Sequence, residues 1–331
     1  MLKTDMTQTS FGGSAPVVEV TGLRVRYGDL TAVDGVSFSV ARGEIFGILG
    51  PNGAGKTTTV ECIGGLREPT GGSIRVLGLD PLGDRGAVRE QVGIQLQTSE
   101  LPDKLKVREA LALFASFYRD PDDPMRLLEL LDLESKRDER FANLSGGQRQ
   151  RLSIALALIG RPRVAILDEL TTGLDPAARR ETWNLIESIR DQGVTVLLVT
   201  HFMDEAERLC DRIAVLDHGR LVALDTPAAL ATGAGGDQRL RFRPSAPVDE
   251  RRLTALPEVS ELRHHGDQLE LTGSGNLLAA VIGELVREGI AADQLRFDQA
   301  NLEDAFVALT SNESPPDRGF ATATEHREET R

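Results

Sequence analysis

Three stretches of this 331-residue sequence combine residue types suited to binding and cutting a phosphate chain. The first is Gly50-Pro51-Asn52-Gly53-Ala54-Gly55-Lys56-Thr57, preceded by the apolar run Ile45 to Leu49 and followed by Thr58 and Thr59. It fits the pattern G-x-x-x-x-G-K-S/T, which needs a buried strand before it and a helix start after it. Gly50, Gly53 and Gly55 let the backbone turn tightly and bring N–H groups up to phosphate oxygens with no Cβ in the way. The helix opening near Gly55 adds its positive dipole end. Lys56 reaches the β- and γ-phosphates, and the Thr57 hydroxyl is a ligand for Mg²⁺. The spacing predicts a nucleoside triphosphate site.

The second stretch, Leu144-Ser145-Gly146-Gly147-Gln148, also presents backbone N–H groups at a helix start. One triphosphate needs one such loop per domain, so this one is expected to serve a nucleotide held by another subunit. The third is Asp168-Glu169, closing the apolar run Val164 to Leu167. Asp168 is placed to hold Mg²⁺ through water, and Glu169 to polarise an attacking water as general base or by positioning it. His201 follows the apolar run Val194 to Thr200 and is a candidate for bonding the γ-phosphate or the water. Gln97, after Val92 to Leu96, offers an amide that senses Mg²⁺ or water.

These groups need elements to hold them. Short β-branched runs with turn signals at Gly28-Asp29 and Asp34-Gly35 predict an antiparallel sheet over Val17 to Val40. The phosphate-loop strand and helix follow, and then a strand pair near Ile74 to Leu77 and Val92 to Leu96. Apolar residues at helical spacing from Val107 to Lys136, broken at Pro121 and Pro124, predict a helical insert within about 98–160. Ser145-Gly146-Gly147 opens a helix to about Ile159, and Pro176 opens another. The alternation of strands and helices up to Leu216 predicts a mostly parallel sheet that carries its ligand at the strand ends. Gly-rich residues 231–236 mark a boundary. Beyond it the order β-α-β-β-α-β is expected over 238–310, closed by a helix at Leu302 to Leu309. Residues 1–15 and 311–331 are polar and are expected to be disordered tails around a nucleotide-binding domain at 16–230.

The net charge of −13 argues against general affinity for nucleic acid or an anionic membrane. Cys62 and Cys210 are far apart and lack metal-ligand neighbours, so neither a disulfide framework nor a zinc site is indicated, and both read as core residues at helical positions. The N-terminus lacks the apolar run of a signal peptide, and the longest apolar runs have only strand length. The expectation is a soluble, cytoplasmic polypeptide that reaches a membrane only through a partner.

In order along the chain, Gly50 to Thr57, Gln97, Leu144 to Gln148, Asp168-Glu169, Gly173-Leu174-Asp175 and His201 resemble the motifs of ATP-binding-cassette (ABC) ATPase domains, over roughly Val17 to Leu230. The resemblance implies a P-loop NTPase core with an antiparallel β subdomain and a helical subdomain. It implies ATP and Mg²⁺ as ligands, and a head-to-tail homodimer with each ATP between the phosphate loop of one copy and Ser145-Gly146-Gly147 of the other. Tyr27 resembles the aromatic that stacks on adenine, Asp175 the acid that acts across the interface, and His201 the switch histidine. Gln97 and the helical insert resemble the surface that engages a transmembrane permease. The C-terminal extension and Asn301-Leu302-Glu303-Asp304-Ala305-Phe306 resemble the ATP-binding subunits of daunorubicin-resistance-type exporters. The implied function is an ATPase at the cytoplasmic face of the membrane, driving export of a drug, antibiotic or lipid-like substrate. The alternatives are a non-transport ABC ATPase acting on ribosomes or DNA, whose usual second cassette and coiled-coil or zinc inserts are missing here, and a small-molecule kinase, which has no use for the Ser145 segment. Leu170 stands where the family usually has proline.

Overall fold

The computed structural model describes residues 15–96, 101–233, 238–298 and 301–311. The expected tails at 1–15 and 311–331 lie outside the described residues apart from Ala15 and Ser311. The chain opens with a hairpin of β1 (Val18–Tyr27) and β2 (Leu30–Val40). In β1 the side chains of Val18, Val20, Leu23 and Val25 point inward and those of Glu19, Thr21, Arg24 and Arg26 outward. A register shift between Val20 and Leu23 keeps Leu23 on the inner face, and Gly22 carries it with φ +58°. The central strand β3 (Ile45–Leu49) leads through the glycine loop into α1 (Lys56–Ile63). Next come β4 (Gly71–Val76), α2 (Arg85–Arg89) and β5 (Val92–Gln95). The region anticipated as a helical insert holds α3 (Val107–Ala115) and α4 (Pro124–Leu130), with Pro124 in the first turn of α4 and Asp123 as its cap. Then follow α5 (Gly146–Leu158), β6 (Val164–Asp168), α6 (Pro176–Asp191), β7 (Thr195–Thr200), α7 (Met203–Leu209), β8 (Arg212–Asp217), β9 (Arg220–Asp225) and α8 (Pro227–Gly233).

The main sheet has the order β5-β6-β7-β3-β8-β9, parallel except where β9 turns back on β8. A second, antiparallel sheet has the order β2-β1-β4. The strand pair anticipated near residues 74 and 92 is therefore split. β4 pairs with β1, and β5 pairs in parallel with β6. Both runs have strand composition, but the choice of neighbour rests on long-range contacts that local pattern does not encode.

Each central strand is buried on both faces and feeds two cores. Ile45 and Leu49 join a core with α5, α6, α7 and the insert, while Phe46 and Ile48 join one shared with the antiparallel sheet and α1. Cys210 falls in the first and Cys62 in the second, both buried and free. Cys62 lies in α1, whereas Cys210 follows the last residue of α7 rather than lying within a helix. Gly47 in β3 leaves room for Cys210, since a Cβ there would meet its Sγ at 2.7 Å.

The C-terminal part runs β10 (Gln238–Pro244), α9 (Glu250–Thr254), β11 (Val259–His265), β12 (Gln268–Gly273), α10 (Leu277–Arg287), β13 (Ala292–Asp298) and α11 (Leu302–Ser311). These strands form an antiparallel sheet ordered β11-β12-β10-β13 with its own core around Leu240, Phe242, Leu271 and Val281. The closing helix leaves that core and returns to the first one. Asn301 Oδ1 accepts the N–H of Asp304 at 2.8 Å, Glu207 on α7 accepts the N–H of Leu302 at 3.1 Å, and Leu302 is buried in the main core. Leu302→Ala is expected to cost about 2–5 kcal/mol in denaturant unfolding of the main transition, because it opens a cavity there. A cost confined to a separate transition of the small sheet would contradict this placement. Among the described residues no helix is long and apolar enough to cross a membrane.

Candidate active site

The glycine loop hangs from the end of β3 in the middle of the main sheet. Gly50 has no space for a side chain, because a Cβ would lie 2.3 Å from the Leu216 carbonyl oxygen. Gly55 precedes α1 at φ +93°, where a Cβ would sit 2.4 Å from the Ala32 oxygen. Lys56 is buried and its ammonium donates to the carbonyls of Gly50 at 2.8 Å and Pro51 at 3.0 Å. Burial lowers its pKa, partly opposed by the charges of Glu169 and Asp168.

The end of β6 faces the same loop. The Thr57 hydroxyl donates to Asp168 Oδ2 at 3.2 Å, and Gln95 Oε1 accepts the Asp168 N–H at 3.2 Å. Asp168 Oδ1 is buried without a hydrogen-bond partner. Burial pushes the Asp168 carboxyl up to about 6, and Glu169 adds to this while the Thr57 bond opposes it. Glu169 adopts φ +49°, in the left-handed region that non-glycine residues seldom occupy. Its Oε1 lies 3.2 Å from His201 Nδ1, at the end of β7. A cleft of about 530 Å³ opens here, lined among others by Tyr27, Asn52, Gly53, Lys56, Thr58 and Glu169.

The structure thus brings Tyr27, the glycine loop, Asp168, Glu169 and His201 to one place. It puts Ser145, Gly146, Gly147, Gln148 and Asp175 around a different cavity of about 410 Å³, with no lining residue in common with the first. There Ser145 and Gln148 cap α5 reciprocally. Ser145 Oγ accepts the Gln148 N–H at 3.3 Å, and Gln148 Oε1 accepts the Ser145 N–H at 3.0 Å. Asp175 caps α6, and the N–H groups of Ala178 and Ala177 hold its carboxylate below the usual range. Gln97 lies outside the described residues.

Some participants carried no usable signal in the sequence. Leu30 and Ala32 line the cleft beside Tyr27 because the β1–β2 hairpin folds over the loop. Arg67 places its guanidinium 5.0 Å from the centre of the Tyr27 ring, from a turn 40 residues along the chain. Gln95, two residues before the glutamine singled out by pattern, accepts the Asp168 N–H.

A family model described as ABC transporter matches residues 33–172. "Nod factor export ATP-binding protein I" of Ralstonia nicotianae is 39% identical over 307 residues, covering 91% of this chain and 96% of that protein. The chain belongs to the ABC transporter ATP-binding family. A solved ATP-binding subunit of an ABC transporter superposes with TM-score 0.60 at 32% identity, over 66% of this chain and 93% of that one. A dimeric ATP-binding cassette in a post-hydrolysis state, bound to ADP and Pi, gives 0.56 at 26% identity, over 63% and 98%.

This ABC ATPase hydrolyses ATP with Mg²⁺. The donor set fits that ion. Thr57 Oγ1, Asp168 Oδ2 and the unpartnered Asp168 Oδ1 are hard oxygen donors gathered beside the phosphate loop. When bound, Mg²⁺ supplies charge neutralisation to the phosphate oxygens.

The raised pKa of Asp168 has a measurable sign. Its ionised form is disfavoured in the fold, so it carries a stability cost above about pH 6 that fades as pH falls through that value towards 3.8. Asp168→Asn is therefore expected to stabilise the nucleotide-free protein by about 1–3 kcal/mol in mildly alkaline buffer. The gain should shrink below pH 6 in the same denaturant titrations. A destabilised Asn variant at alkaline pH would show that the carboxylate is paired rather than penalised.

Leu170, in place of the family's usual proline, is wholly buried in the main core. A proline there would also press the backbone of Glu169 towards extended conformations and away from the left-handed φ of +49° that it adopts. Leu170→Pro is expected not to raise kcat by more than about tenfold. A rise of several orders of magnitude would mark the native turn as impaired.

Proposed function

We propose that this chain is the energy-coupling ATPase of an exporter. Two copies pair head to tail and act at the cytoplasmic face of the membrane on a separately encoded permease. The separation of the two phosphate-facing cavities within one chain carries this reading. A second copy turned about a two-fold axis supplies Ser145, Gly146, Gly147, Gln148 and Asp175 to the triphosphate held by the first copy's loop. Tyr27 stacks on the base. Asn52, Gly53, Ala54, Gly55, Lys56, Thr57 and Thr58, framed by Gly50 and Pro51, cradle the phosphates, while Thr57, Asp168 and Gln97 hold Mg²⁺. Glu169 takes the proton of the attacking water as its oxygen bonds to the γ-phosphorus and the bond to the β–γ bridging oxygen breaks. His201 orients Glu169 and the γ-phosphate, and Gln97 reports the ligand to the permease.

The export direction is supported by relatives named for Nod factor export. The closing segment Asn301–Phe306 supports a two-component exporter of the daunorubicin-resistance type, with a drug, antibiotic or lipid-like cargo. The deciding experiment is ATP turnover against protein concentration, with mass measured in the same samples by light scattering. Specific activity should rise with the dimer fraction. Full activity from a strict monomer would overturn the shared-site reading.

A further inference from the structure

Glu205 is fully buried on α7, although isolated carboxylates are among the costliest groups to bury. It sits among donors that come from the three segments carrying Glu169, His201 and Asp175. Trp183 Nε1 on α6 donates to Glu205 Oε1 at 3.0 Å. The hydroxyls of Thr200 and Thr171 lie near enough to act on the same carboxylate, lowering a pKa that burial raises. Thr200 immediately precedes His201, and its Oγ1 accepts the N–H of Phe202 at 3.0 Å, which pins the backbone around His201. Thr171 lies two residues after Glu169. Its Oγ1 and Glu205 Oε2 are both buried and neither has a hydrogen bond of proper geometry. Four residues before Trp183 on the same face of α6, Arg179 lies 4.4 Å from the centre of the Phe202 ring and 3.2 Å from Asp204. The helix capped by Asp175 is thus tied to the His201 segment at two successive turns.

We propose that Glu205 is a positioning residue of hydrolysis, holding the segment that follows His201 against the helix that starts at Asp175 through its bond to Trp183, so that His201 and Glu169 meet in working geometry. This rests on the proposed roles of Glu169 and His201. Glu205 touches no reacting atom. Its effect passes through the Glu169–His201 contact, which gives it a signature that bulk stability lacks.

The experiment is a double-mutant cycle on the full chain, reading kcat and KM for ATP together with unfolding midpoints. Glu205→Gln should lower kcat by at least about tenfold with KM within about twofold. In a His201→Ala background the same substitution should lower kcat by less than about twofold, because the contact it serves is already gone. Thr200→Val should mimic Glu205→Gln, whereas Thr200→Ser, which keeps the hydroxyl, should retain kcat. Equal losses in both backgrounds, an effect on KM alone, or indistinguishable Val and Ser variants would overturn the proposal. Should Glu205→Gln not fold, the Thr200 pair decides by itself. If Glu169→Gln is inactive while these variants turn over normally, only this inference fails. An active Glu169→Gln removes the reading beneath it.

Discussion

Glu169→Gln is expected to lower ATP turnover by about 10²–10⁴-fold, the usual range for loss of a positioned general base. The substitution is nearly isosteric, and the amide keeps a polar contact to His201, 3.2 Å away in the native chain. It removes the carboxylate proposed to accept the water's proton. The loop, Lys56 and Thr57 are untouched, so ATP affinity should hold within a few fold. A negative charge also disappears from beside the triphosphate, which favours the ATP-bound dimer. Turnover, equilibrium binding and light scattering on one preparation check all three statements. Wild-type turnover in this variant would remove Glu169 from the reaction.

Gly146→Asp is expected to abolish turnover while sparing both the fold and the nucleotide affinity of the single chain. A Cβ at Gly146 would meet nothing within 4 Å, and its φ is not positive, so the chain itself tolerates a side chain there. An acid in the first turn of α5 even favours the helix dipole. In the proposed head-to-tail pair the damage falls on the other copy, because the carboxylate would project towards a triphosphate held by its partner's loop. Charges a few ångströms apart in a partly desolvated site repel by several kcal/mol. The decisive readout is complementation with Lys56→Ala, itself inactive. A mixed dimer keeps one intact site, made of the Lys56 loop of the Gly146→Asp copy and the Gly146 segment of the Lys56→Ala copy. An equal mixture should recover roughly a quarter of the wild-type rate, since half the dimers are mixed and each has one working site of two. No recovery on mixing, with both variants folded and dimeric, would contradict a site shared between copies.

Much of this molecule is written in short windows. The glycine loop reads directly because strand, turn and helix start are contiguous, and Gly53 and Gly55 answer a local need for positive φ, +83° and +93°. Asp168, Glu169 and His201 read almost as well, because an acid or a histidine directly after an apolar run marks a strand end in an α/β sheet. The small C-terminal sheet follows the same logic, since its alternation of periods spells β-α-β-β-α-β.

The tertiary structure decided what local windows cannot hold. It sent β4 and β5 to different sheets, because pairing is chosen by side-chain packing across distant segments. It brought Arg67 onto Tyr27 and Leu302 into the main core, contacts whose partners lie far apart along the chain. It placed the left-handed turn at Glu169 and the buried cluster around Glu205, neither of which has a compositional mark. It also set the two phosphate-facing segments around separate cavities, a distance no motif spacing encodes. The chemistry of each segment follows from residue types that act over a few bonds, whereas their assembly depends on which apolar faces must be buried together, a property of the whole chain.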